Sequence, residues 1–164
     1  MLLQILQNMR YLNSKIYLLS LLLLFTTACN RSNDSLYQKE TEIFNRYLKT
    51  TRLAINKDST YLFICTPGSA CVGCNQHLFN LFMNVKDGNT FLLTSSPENF
   101  STSPELKSRI YFDSTGKLDR INLPIRNASV VFYKQGEISG IVSVNPNAPD
   151  SIDYKISEWM KTGK

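Results

Sequence analysis

Charged and apolar positions alternate with helical spacing at the start of the mature chain. Leu36, Ile43, Phe44, Tyr47 and Leu48 form one apolar stripe, which predicts an amphipathic helix over residues 34–53. Residues 61–65 then read Tyr-Leu-Phe-Ile-Cys without a polar break, the pattern of a central strand buried on both faces. Thr66-Pro67-Gly68 ends that strand. From Cys71 onward, Val72, Leu78, Phe79, Phe82, Met83 and Val85 return to helical spacing, and Asp87-Gly88 stops the helix. Phe91-Leu92-Leu93 predicts a second strand and Ile110-Tyr111-Phe112 a third. Between them, Ser103-Pro104-Glu105 reads as a helix start, with Ser as the cap and Pro at the first helical position. Residues 130–133 and 138–142 flank Lys134-Gln135-Gly136-Glu137, a hairpin signal. A last helix over residues 150–161 presents Ile152, Ile156, Trp159 and Met160 as its apolar face. Strands alternating with helices imply an α/β fold with a parallel sheet core. The hairpin adds an antiparallel pair, helices flank the sheet, and the first helix is an N-terminal extension.

The first thirty residues have a different character. Residues 16–25 are an apolar run of ten, preceded by Arg10 and Lys15 and followed by the small residues Thr26, Thr27 and Ala28. That order is a secretory signal, and the run is too short to span a bilayer as a permanent helix. Met9-Arg10 would open a more typical signal than Met1 does. Cys29 directly after Ala28 resembles a bacterial lipobox, with Thr26 where Leu is usual. The resemblance implies removal of residues 1–28, lipid on Cys29 and a membrane-anchored protein of the cell envelope. Residues 30–34 carry one acidic residue, unlike acid-rich surface-export signals, so the periplasmic side of the outer membrane is expected.

The chain therefore divides into a signal peptide (1–28), a lipidated tether with the N-terminal helix (29–54) and one domain (55–164). Without the signal, 136 of the 164 residues remain, enough for one core. Arg10 and Lys15 leave with the signal, so the formal charge falls from +5 to +3. The basic residues are scattered, and nucleic acid is not an expected partner. Four Asp-Ser steps, at residues 34, 58, 113 and 150, resemble acceptor motifs for O-glycosylation and equally fit helix caps and turns.

The chemistry concentrates in the cysteines. Cys65, Cys71 and Cys74 fall within ten residues, and Cys71-Val72-Gly73-Cys74 stands at the junction of a strand and a helix. A C-x-x-C at that junction is a redox or metal-binding arrangement. With Cys29 lipidated, three thiols remain in an oxidising compartment, and at most one internal disulfide can form.

The strand, the C-x-x-C opening a helix, and the late hairpin beginning Ser129-Val-Val-Phe-Tyr followed by a terminal helix together resemble the thioredoxin superfamily, over residues 55–161. Asp113-Ser-Thr-Gly-Lys-Leu is similar to the insertion of its periplasmic, membrane-attached members. The resemblance implies a thioredoxin-like mixed sheet and a thiol–disulfide oxidoreductase that needs no cofactor. Its partners would be protein thiols or disulfides. Cys71 would be the nucleophile, favoured as a thiolate at a helix N-terminus, and Cys74 the shielded resolving thiol. The residues before the hairpin, Ala128 and Ser129, would bind substrate. Two departures stand out. Ala128 occupies the position of the family's cis-proline, and Cys65 that of its buried acid. Two alternatives stay open: a structural disulfide on a non-catalytic scaffold, and a zinc or copper site built from Cys65, Cys71, Cys74 and His77. For Cys65 alone, a buried small hydrophobe is expected.

Overall fold

The computed structural model describes residues 36–51, 53–96, 104–125 and 127–162. The expected signal peptide, Cys29 and the start of the tether lie outside the described residues, as does Ser103. The chain runs α1 (Gln38–Thr51), β1 (Thr60–Thr66), α2 (Val72–Asn84), β2 (Thr90–Thr94), α3 (Pro104–Lys107), β3 (Ile110–Phe112), α4 (Lys117–Arg120), β4 (Ser129–Lys134), β5 (Glu137–Ser143) and α5 (Ser151–Thr162). It is an α/β fold with one five-stranded mixed sheet flanked by helices. The strand order is β3-β2-β1-β4-β5. β1, β2 and β3 are parallel, whereas β4 pairs antiparallel with both β1 and β5.

β1 is the central strand, and residues 61–66 are all buried. Alternation sends Tyr61, Phe63 and Cys65 to one face and Leu62 and Ile64 to the other. On the first face α1 supplies Phe44, Tyr47 and Leu48. Phe63 is the hub of that layer, with ring centroids 5.2 Å from Phe44, 5.6 Å from Tyr133 and 5.8 Å from Phe91. On the second face α2 supplies Cys74, Leu78 and Phe82, and α5 supplies Ile152 and Ile156. Trp159 of α5 lies 4.9 Å from Phe132 of β4.

Polar side chains stitch α1 to the hairpin. Asn45 Nδ2 donates to Gly136 O (3.0 Å), and the Tyr133 hydroxyl donates to Asn45 Oδ1 (2.6 Å). The Ile138 N–H donates to Thr41 Oγ1 at 2.9 Å. The hairpin turns through Gln135 and Gly136, both at positive φ (53° and 86°). A two-residue type I′ turn demands that conformation at both positions, and glycine adopts it without strain.

Where the structure departs from the sequence pattern, solvent explains the difference. Leu36 is 86% exposed and sits in a turn before α1, so it is no part of the stripe. Val72 is 82% exposed, because the first turn of α2 projects beyond the sheet. β3 is an edge strand with Phe112 exposed. α4 was not expected at all: Gly116 caps it in the left-handed region, with no side-chain cap. Asp113, which is buried, does the capping from further back. Its Oδ1 accepts the Thr115 N–H (3.0 Å) and hydroxyl (2.6 Å), and its Oδ2 accepts the Leu118 N–H.

Truncating the hub measures how much the first layer contributes. Phe63→Ala is expected to lower the unfolding free energy by about 3–5 kcal/mol, read from urea unfolding with the disulfide intact. Leu36→Ala should stay within about 0.5 kcal/mol of the parent.

Candidate functional site

The C-terminal end of β1 delivers the chain to Pro67, and α2 must start there to fold back over Leu62 and Ile64. Cys71 is the N-cap of α2, with extended backbone (φ −63°, ψ 136°). Cys71 and Cys74 are joined in a disulfide, with Cα atoms 5.2 Å apart. The Cys74 N–H donates to Cys71 Sγ at 3.0 Å, and the Asn75 N–H donates to Cys71 O at 3.0 Å. The sulfur thus takes the place of the usual oxygen cap and satisfies one free donor of the first turn.

The two cysteines differ sharply in environment. Cys71 is exposed, beside exposed Val72 and Gly73, whereas Cys74 is buried at 4% exposure among the second-face core residues. One residue of the pair is open to solvent and the other is shielded. That asymmetry is what a nucleophile and a resolving thiol require.

The loop before Cys71 is held from both sides. Asn75 Nδ2 donates to Pro67 O (3.0 Å), from the turn that follows Cys74. The Ser69 N–H donates to Asp119 Oδ1 at 2.9 Å, from α4. Partial burial acts to raise the Asp119 carboxyl, but the polar groups of Ser95, Ser69 and Gly68 around it outweigh burial and hold it below the usual carboxylate range. Neither Asn75 nor Asp119 was singled out from sequence. Asn75 is marked only by following the C-x-x-C, and nothing in the spacing ties residue 119 to residue 69.

The remaining candidates are dispersed. Cys65 is a free, fully buried thiol on the opposite face of the sheet from Cys74, and burial pushes its titration far up. His77 turns away from the cysteines toward the start of α5: Nε2 lies 2.9 Å from Asp153 Oδ1, and Nδ1 lies 3.6 Å from Asp150 Oδ1. The four residues Cys65, Cys71, Cys74 and His77 are therefore not brought together as one ligand set. Among the described residues, His77, Asp150 and Asp153 are the group close enough to share an ion, with ligand atoms within 4.8 Å of one another. The two ring nitrogens face two different carboxylates, which suits a hydrogen-bonded pair between helices better than one ion on three ligands. Ala128 and Ser129 are fully buried. Ala128 O accepts the Val144 N–H (2.8 Å), and the Ser129 hydroxyl bonds Asn127 O (2.7 Å) and Ser143 Oγ (2.9 Å). No cis peptide bond occurs among the described residues, so the bond before Ala128 is trans. Asn127 is the exposed residue of that corner.

No protein-family model matches the chain, and neither a curated protein nor a solved structure matches it.

The His77 contacts tie α2 to α5 at the surface, where such pairs contribute little. His77→Ala is expected to lower the unfolding free energy by no more than about 1 kcal/mol, measured in urea, and to leave the metal content of the purified protein unchanged.

Proposed function

We propose that this is a thioredoxin-like domain that exchanges thiols and disulfides with protein partners through Cys71 and Cys74. The observation that carries the reading is the asymmetry of the pair: an exposed cysteine at the N-cap of α2, its sulfur hydrogen-bonded by a backbone N–H, and a buried one three residues on. The five-stranded mixed sheet with helices on both faces is compatible with the fold that such a site uses.

In the reducing direction, the Cys71 thiolate attacks one sulfur of a partner disulfide. The S–S bond breaks, the leaving sulfur takes up a proton, and a mixed disulfide with Cys71 remains. Cys74 then loses its proton and attacks Cys71 Sγ, releasing the second partner thiol. The partner gains two electrons and two protons, and the domain is left with the Cys71–Cys74 disulfide. The oxidising direction is the reverse, with the same atoms. Helix-terminal N–H groups supply the stabilisation of the thiolate, which is about 0.3–1 kcal/mol for an exposed charge. The lipobox resemblance at Cys29 supports a lipid anchor in the cell envelope, with the domain facing the periplasm from the outer membrane.

A rival reading, a structural staple on a non-catalytic scaffold, draws on two observations. The bond before Ala128 is trans, and the core position expected to hold an acid holds the buried thiol Cys65.

The reduction potential separates the two. Titration in glutathione buffers with mass-tagged thiols should give a reversible two-electron transition between about −120 and −270 mV. A pair that resists reduction below about −300 mV is a staple, and the exchange reading is then wrong. In the same preparations, Cys71→Ser should abolish reduction of insulin disulfides. The anchor is tested separately: Cys29→Ala should move the protein from the membrane fraction to the soluble one.

A further inference from the structure

Residues 113–120 form a device whose far end is the loop in front of Cys71. Asp113, buried at the end of β3, holds Thr115 and the Leu118 N–H and so builds the single turn of α4. Leu118 seats that turn in the first-face core at 1% exposure. Arg120 closes it, donating from Nε to Gly116 O (3.2 Å) and from Nη2 to Thr115 O (2.6 Å). Asp119, between these anchors, is left pointing across 50 residues of sequence at the Ser69 N–H. The Ser95 hydroxyl, buried beside the same loop, adds a polar contact to that carboxylate, and a Cβ at Gly68 would stand 3.6 Å from Asp119 Oδ1. Ser69 is two residues before the N-cap sulfur, so the carboxylate fixes the backbone that aims Cys71.

We infer that Asp119 is a positioning residue for thiol–disulfide exchange: it holds the Pro67–Ala70 loop so that Cys71 Sγ stays at the N-cap of α2. This rests on the exchange reading above. It goes beyond it, because the group that orders the nucleophile comes from a different part of the chain. A carboxylate in this place has two opposed effects. Its charge disfavours a nearby thiolate, whereas its hydrogen bond to the loop keeps the thiolate under the helix N–H groups.

Two variants of the full-length chain separate the effects. Asp119→Asn removes the charge and keeps an oxygen acceptor for the Ser69 N–H. Asp119→Ala removes both. Asp119 is partly exposed, and urea unfolding checks that each variant is folded. In the reduced proteins, the pH midpoint of Cys71 alkylation is read by peptide mass spectrometry, and amide hydrogen exchange is read at Ser69. The expected result is a midpoint about half a unit higher in Asp119→Ala than in Asp119→Asn, a roughly threefold lower thiolate fraction at neutral pH. Ser69 exchange should be at least tenfold faster in Asp119→Ala, with Asp119→Asn close to the parent. Coincident midpoints in the two variants, or unchanged Ser69 protection in Asp119→Ala, would overturn the inference. A parent whose Cys71 alkylates at the ordinary thiol midpoint, about 8.5, counts instead against the exchange reading, and the Ser69 amide then decides on Asp119 alone.

Discussion

Double-sided burial of β1 is the constraint from which the rest follows. A strand with residues 61–66 all buried has no solvent face. It is stable only if helices cover both sides of the sheet. α2 and α5 cover Leu62 and Ile64, and α1 is recruited from outside the strand–helix alternation to cover Tyr61, Phe63 and Cys65. That requirement also fixes where the chemistry sits. α2 has to begin beyond the end of β1 and run back over the sheet. Its start, Cys71 to Gly73, therefore projects into solvent, while Cys74, Leu78 and Phe82 are pressed into the core. Cys71 and Cys74 straddle that boundary. The contrast between an open and a shielded sulfur is a consequence of helix placement and needs no special environment for either.

The second layer of control is polar and long-range. The loop between β1 and α2 is seated by buried Pro67 and by Ala70, which packs on the second-face core, and hydrogen bonds order the exposed part between them. Asn75 grips Pro67 O from α2, and Asp119 grips the Ser69 N–H from α4. A hydrogen bond to a charged group contributes about 1.5–3 kcal/mol, against about 1 for a neutral one. The Asp119 bond is charge-assisted but exposed to solvent, and the Asn75 bond is neutral but buried, so the two holds are of similar order. The Asp119 bond is the acid-sensitive one. The Asp119 carboxyl lies below its ordinary value in the folded chain, so its contribution is fully present above the ordinary carboxylate range. It is lost only as pH falls through the depressed value.

Periodicity in the sequence made the main elements legible. β1 and β2 are unbroken apolar runs, α1, α2 and α5 carry stripes at helical spacing, and the hairpin is marked by Gly136 between two β-rich segments. Leu36 and Val72 were assigned to stripes because periodicity reports spacing alone, and both lie where their helix has nothing to pack against. α4 escaped because a single turn has no period; its real signature is one buried carboxylate, Asp113, five residues before Leu118. The cysteine pair was legible because its chemistry is local in sequence. Asp119 and the His77 contacts were not, since each depends on a partner at least fifty residues away that only the closed fold supplies.

The arrangement also bears on what kind of exchange this site suits. Strong oxidants of this type draw their power from a thiolate stabilised well beyond the helix terminus. Here the two residues between the cysteines, Val72 and Gly73, carry no charge or hydrogen-bonding side chain. The visible donor to Cys71 Sγ is one backbone N–H, and the charged group tied into the approach loop is a carboxylate, whose field opposes a thiolate. Each of these choices leaves the reduced pair less favoured than a cationic motif would. Under the exchange proposed above, a pair whose thiolate has so little support favours its disulfide, the state from which a reductant must regenerate it.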